Sequence, residues 1–318
     1  MDEERYPTEY PVPDIAPYRR GNTGIDYVHT FDSGRPGPHV MINALTHGNE
    51  VCGAYAVDRL FRWETRPARG KLTLSFANVD AFSRFSVERP ADTRWVDEDF
   101  NRVWTDDELD GPRSSSELVR ARALRPVVAA ADLLFDLHSM HLPAPAVTIA
   151  GPHAKGRELA RRLGLPAFVI SDSGHASGAR MRDYGGFGDA GDAKNALLVE
   201  CGQHGEAAAA QTALDASLAF LRESGIMADA FFDAHPVPAP VPQRFVQVTQ
   251  AVTIRTGRFE FAQRYTGMET IARAGTVIAH DGGEPVTTPY DDCILVMPAP
   301  GRYVRPGLTA VRLGRIIA

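Results

Sequence analysis

Apolar residues recur along this chain in two rhythms. Unbroken runs at Val40 to Leu45, Leu72 to Ala77, Leu133 to Leu137, Ala146 to Ala150, Ala167 to Ile170 and Ala196 to Val199 have the length of buried strands. Helical patterns lie between several of them. Val51 to Glu64 carries apolar residues at Val51, Tyr55, Leu60 and Phe61 and stops before Arg66-Pro67. Ser114-Ser115-Ser116-Glu117 is a cap-like start to a helix reaching about Ala131, which Pro126 is expected to kink or divide. Four consecutive alanines mark a further helix from Gly205 to about Arg222. Strands alternating with helices predict an α/β fold on a mainly parallel mixed sheet flanked by helices.

The pattern changes at His235-Pro236-Val237-Pro238-Ala239-Pro240-Val241-Pro242, where alternating prolines favour an extended, semi-rigid connector. Beyond it, β-like runs at Phe245 to Ile254, Thr276 to Ala279 and Cys293 to Met297 are separated by Gly, Pro and Asp clusters. We therefore expect a catalytic α/β domain over residues 1–235, a linker over 236–242, and a small all-β domain over 243–318 that caps the active site.

Composition narrows the class. With 318 residues, 44% hydrophobic and 23% charged, the chain is long enough for a large core and has an ordinary globular make-up. A net charge of −6 with scattered Lys and Arg argues against a nucleic-acid partner. No apolar run approaches membrane-spanning length, and the acidic, Pro-rich start lacks the features of a signal peptide. Cys52, Cys201 and Cys293 are too dispersed for a disulfide framework or a Cys-based zinc site, which fits a reducing, cytoplasmic location.

The chemistry gathers where strands end. Thr46-His47-Gly48-Asn49-Glu50 follows a strand and precedes a helix, so His47 and Glu50 can turn onto one ion. A catalytic zinc site needs a third protein ligand. His138, at the end of Asp132 to Ser139, is the preferred choice, with His141 as its competitor, and Asp136 is placed to orient the imidazole. Glu200 ends an apolar strand, where an unpaired carboxylate is costly and tends to have a use, and is the candidate base. Arg94 and Arg102, with Asn101 between them, offer donors for an oxyanion and a substrate carboxylate. Cys201 reads as a packed thiol and Asp106-Asp107-Glu108 as a solvated turn or helix start, while His153, His175, His204 and His280 have no assigned role. Ser171 to Gly191, rich in Gly, Ser and Asp, is expected to be a mobile loop near the pocket.

His47-x-x-Glu50, Arg94 with Asp-x-Asp-Phe-Asn101-Arg102, Asp136-Leu-His138 and Val199-Glu200-Cys-Gly202 occur in this order. In this the chain resembles the succinylglutamate desuccinylase/aspartoacylase family of the zinc carboxypeptidase clan, over roughly residues 38–235. The resemblance implies that His47, Glu50 and His138 bind one Zn²⁺, that Glu200 is the general acid/base, and that Arg94 polarises the scissile carbonyl. It further implies that Asn101 and Arg102 bind a substrate carboxylate. The family's additional substrate-binding arginine has two candidates here, Arg180 and Arg182, and Tyr303 is the counterpart of a C-terminal tyrosine that closes the pocket in some members. The implied activity is hydrolysis of a small, acidic N-acyl amino acid or related amide. A homo-oligomer is compatible with this reading. A carboxypeptidase acting on peptides and a non-catalytic binding module are the rival readings. A lysine-attached cofactor in the C-terminal part is excluded, because residues 243–318 contain no Lys.

Overall fold

The computed structural model describes residues 8–174 and 177–317. The strands are β1 (Val28–Asp32), β2 (His39–Ala44), β3 (Lys71–Phe76), β4 (Leu133–Met140), β5 (Val147–Ile149), β6 (Phe168–Ser171), β7 (Asn195–Gln203), β8 (Arg244–Thr253), β9 (Phe259–Phe261), β10 (Thr270–Ile271), β11 (Val277–Asp281), β12 (Glu284–Thr287), β13 (Cys293–Val296) and β14 (Thr309–Ile316). The α-helices are α1 (Val51–Arg62), α2 (Val79–Phe82), α3 (Asp106–Asp110), α4 (Ser116–Ala130), α5 (Ala154–Leu163), α6 (Ala207–Ser224) and α7 (Asp229–Ala234).

One sheet of 11 strands runs β1-β3-β2-β4-β7-β5-β6-β8-β14-β13-β10. Its centre, β3-β2-β4-β7, is parallel, and β5 then runs antiparallel to β7. Both faces are covered, which is why these strands read as unbroken apolar runs. Alternate residues serve opposite cores. Val40, Ile42 and Ala44 face the layer containing α1, α5 and α6, whereas Met41, Leu134 and Ala196 face α4 with Phe100, Trp104 and Phe187. The carboxyl ends of β2, β4 and β7 therefore open on one edge, where open α/β sheets collect their ligands.

Most expected elements form, with three differences. Helix α4 runs unbroken through Pro126, because Leu124 and Val128 on either side are fully buried and hold the helix to the sheet. Helix α5 was not expected; it is rich in charge, and its buried stripe is only Gly156, Leu159, Ala160 and Leu163. The third concerns the loop after β6. From Arg180 to Gly188 the chain forms two 3₁₀ turns and buries Arg180, Met181, Arg182 and Phe187, while His175 lies outside the described residues.

The C-terminal part is all β and continues the main sheet. β8 pairs parallel with β6 and antiparallel with β14, and β9, β11 and β12 make a separate three-stranded sheet. The proline stretch is pinned on α5 through Val241 N to Gly164 O at 2.9 Å and Gln243 Nε2 to Ala160 O at 3.0 Å. Among the described residues, no helix is long and apolar enough to cross a membrane.

Candidate active site

Leaving β2, Leu45 adopts a left-handed backbone with φ of 59°, an uncommon conformation for a buried Leu that turns the chain sharply at the sheet edge. His47 and Glu50 follow on this turn, with Glu50 at the N-cap of α1. Gly48 sits against the next loop, its N–H donating to Arg94 O at 3.0 Å. A Cβ there would lie 2.4 Å from Thr93 O, so only Gly permits this approach. The same contact brings Arg94 beside the His47–Glu50 pair.

His138 arrives from β4, and Glu200 stands opposite it in register on β7. His47, Glu50 and His138 are all buried, and their donor atoms lie within 4.8 Å of one another. His47 Nδ1 is 2.8 Å from Glu50 Oε1, and His138 Nδ1 is 2.7 Å from Glu50 Oε2. Each imidazole turns its other nitrogen to a second carboxylate: His47 Nε2 to Asp99 at 2.9 Å and His138 Nε2 to Asp136 at 2.7 Å. These partners leave both Nδ1 atoms facing one point, the arrangement that orients metal-ligating histidines. Arg94 Nη2, 3.0 Å from His47 Nε2, is then a packed neighbour, because that nitrogen carries the proton given to Asp99. Arg94 Nη1 donates to Glu50 Oε1 at 2.9 Å. Asp136 is itself fixed by Asn43 Nδ2 and Thr46 Oγ1, each at 2.8 Å.

The charges of the site suit a bound cation. Burial alone would raise the Glu50 carboxyl, but His47 and His138 outweigh it and hold it well below the usual range. Burial opposes charge on His138, yet Asp136 and Glu50 push its pKa well above that of a free imidazole. Burial drives Glu200 up to about 8, opposed by His138 and Arg94 and assisted by Glu50. Among the described residues, Glu200 Oε2 has no hydrogen-bond partner in its buried position. Two imidazoles, a shared carboxylate and an orphaned carboxyl oxygen fit a divalent metal with an adjacent base. His141 is not among the clustered donors, and His204 Nδ1 pairs with Ser139 Oγ at 2.7 Å.

The remaining sequence candidates fall into two groups. Asn101 and Arg102 lie on the same loop as Arg94, with Asn101 Oδ1 accepting from Met181 N at 2.8 Å and Arg102 Nη1 donating to Asn101 O at 2.7 Å. Tyr303 and Trp95 have ring centroids 6.2 Å apart, and with Arg94 they line a cavity of about 300 Å³ that meets the site at Arg94. Arg180 and Arg182 are instead engaged in the wall. Arg180 makes paired bonds to Asp172 at 2.7 and 3.1 Å and to Asp183 at 2.6 Å, while Arg182 donates to Ala196 O at 2.9 Å. Arg312 of β14 lies 3.8 Å from Asp172, so the C-terminal strands reach this wall. Asp99, Asp172 and Arg312 were not singled out by sequence. Burial and Cys52 raise the Cys201 thiol well above its ordinary value, which leaves it inert, as expected.

The succinylglutamate desuccinylase/aspartoacylase catalytic-domain family matches residues 36–223. The chain belongs to this family. A probable aspartoacylase of Parasynechococcus marenigrum is 38% identical over 90 residues, a stretch covering 27% of this chain and 26% of that protein. Among solved structures, succinylglutamate desuccinylase from Vibrio cholerae aligns over 92% of this chain and 86% of its own, with a TM-score of 0.69 and 17% identity. The succinylglutamate desuccinylase/aspartoacylase from Rhodobacter sphaeroides aligns over 92% and 90%, at 0.66 and 18%. A product-bound ectoine utilization protein from Ruegeria pomeroyi aligns over 90% and 88%, at 0.58 and 19%. These likenesses establish the zinc carboxypeptidase-like fold of the family, a mixed sheet flanked by helices with a C-terminal all-β region.

Proposed function

We propose that the chain is a zinc-dependent hydrolase that cleaves the amide bond of a small, acidic N-acyl amino acid or a related compound. The observation that carries this reading is the convergence of His47, Glu50 and His138 next to the unpartnered Glu200 carboxyl oxygen. Zinc held by that triad supplies the Lewis acidity that lowers the pKa of a water and polarises a carbonyl.

The other steps belong to the chain. Glu200 accepts a proton at Oε2 and returns it to the leaving nitrogen, a role that its pKa, raised by burial to about 8, suits near neutral pH. Arg94, held by Glu50 and lining the adjoining cavity, directs its guanidinium to the oxygen that gains charge. Asn101 and Arg102 take a substrate carboxylate. Arg180 and Arg182 hold the wall behind them, since Asp172 and Asp183 engage every guanidinium nitrogen of Arg180, and Asp183 and backbone carbonyls engage both terminal nitrogens of Arg182. Residues 243–318, joined through the 236–242 linker, cap the cleft with Tyr303 at its mouth, and the enzyme works in the cytoplasm.

The test is a panel of N-acetyl, N-succinyl and other N-acyl amino acids beside short peptides, run with zinc-loaded protein. Hydrolysis of acidic N-acyl amino acids, lost on chelation and regained with zinc, is expected. Preferential cleavage of peptides would favour a carboxypeptidase, and metal binding without any hydrolysis a binding module.

A further inference from the structure

The loop that brings Arg94 and Asp99 to the centre has little regular structure. Residues 94–99 lie between two 3₁₀ turns, Pro90–Thr93 and Phe100–Arg102. Backbone N–H groups in such a segment still need acceptors. Three consecutive ones go to a single side chain, Glu117, in the first turn of α4. Val96 N donates to its Oε1 at 2.7 Å, and Asp97 N and Glu98 N donate to its Oε2 at 3.0 and 3.2 Å. Asn78 Nδ2, from the end of β3, adds a bond to Oε1 at 2.9 Å.

The clasp is reciprocal. Asp97 Oδ2 accepts from both Ser116 N and Ser116 Oγ at 2.7 Å, so loop and helix start grip each other. Glu117 is fully buried in the first turn of α4. The residues flanking the clasped amides are those that touch the centre: Arg94 donates to Glu50, and Asp99 holds His47.

We propose that Glu117 is a positioning residue. By fixing the backbone of residues 96–98 it sets, together, the Arg94 guanidinium and the Asp99 carboxylate against the His47–Glu50 pair. Its contacts are with the loop and Asn78, so it acts through Arg94 and Asp99 rather than on substrate. The kinetic part of this inference rests on the proposed deacylase activity; the structural part does not.

Glu117→Gln keeps the size but places an amide nitrogen against one or more N–H donors. Hydrogen exchange measured by mass spectrometry is expected to rise at least tenfold in peptides covering 95–100, with peptides of β2, β4 and β7 unchanged. On a substrate of the parent enzyme, kcat is expected to fall at least tenfold with zinc still one per chain. Glu117→Asp, which keeps the charge and shortens the reach, is expected to change both readouts in the same direction, and it carries the test if the Gln variant does not fold. Unchanged exchange at 95–100, an equal rise throughout the sheet, or a kcat within twofold of the parent would overturn the proposal. If the parent hydrolyses no N-acyl amino acid, the deacylase reading fails, while the exchange experiment still decides whether Glu117 holds the loop.

Discussion

Asp136→Asn removes one charge beside the metal triad and little else. Asp136 is fully buried and accepts from His138 Nε2 at 2.7 Å, Asn43 Nδ2 at 2.8 Å and Thr46 Oγ1 at 2.8 Å. An amide can replace it if its oxygen faces His138 and the Asn43 amide turns over, since Ser75 Oγ, which donates to Asn43 Oδ1 at 2.7 Å, can accept instead. The fold should therefore survive. A hydrogen bond to a charged group contributes about 1.5–3 kcal/mol and a neutral one about 0.5–1.5, so the imidazole loses about 1–1.5 kcal/mol of support. At 1.4 kcal/mol per tenfold, that is roughly a 5- to 12-fold loss of zinc affinity, overlapping the low end of the roughly 10- to 100-fold range for residues behind metal-bound histidines. Competition with a chelating dye measures it, with circular dichroism to check the fold. A well-folded Asp136→Asn protein binding zinc within twofold of the parent would refute the claim that Asp136 orients His138 for the metal.

Arg94→Ala is expected to lower kcat by about 10²- to 10³-fold, the usual effect of removing an oxyanion donor, with zinc retained; turnover within threefold of the parent would remove Arg94 from the reaction. The wall behind Asn101 and Arg102 should show in acid. Burial would raise Asp172, but Arg180 and then Arg312 outweigh it and lower its pKa. Its stabilisation is thus complete above the unfolded value of about 3.9 and is lost as pH falls through the lower folded value. Asp172→Asn should cost about 3 kcal/mol near neutrality, the low end for a broken buried pair because Arg180 keeps Asp183. Thermal unfolding of both proteins from pH 7 to 2 should show the difference shrinking below about pH 4; a constant difference would contradict the assignment.

The candidate metal centre was legible because its parts lie at or near the carboxyl ends of strands, although β4 runs two residues past His138 and β7 three past Glu200. His47 and Glu50 follow β2, and His138 and Glu200 occupy facing positions on the parallel neighbours β4 and β7. Composition hid the partners instead. Asp97, Glu98 and Asp99 look alike in sequence, yet Asp97 grips Ser116, Glu98 pairs with Arg113 and Asp99 orients His47. Arg180 and Arg182 read as candidates for a substrate-binding arginine because nothing local shows Asp172 folding back onto Arg180 from the end of β6. The continuation of the sheet beyond β6 was equally hidden: an alternating strand after a proline linker looks the same in a detached domain as in one added edge-on to a distant strand. Glu117 belonged to a recognised helix start, but its second task depends on a loop brought to it by tertiary structure.

The account depends most directly on Glu200 as the base beside an intact metal site. Glu200→Gln protein, purified with zinc, should hold one zinc per chain like the parent and hydrolyse the best N-acyl amino acid at least 10³-fold more slowly, in the upper half of the general acid–base contributions of about 10²- to 10⁴-fold. Near-normal turnover by this variant, with its zinc in place, would contradict the central claim.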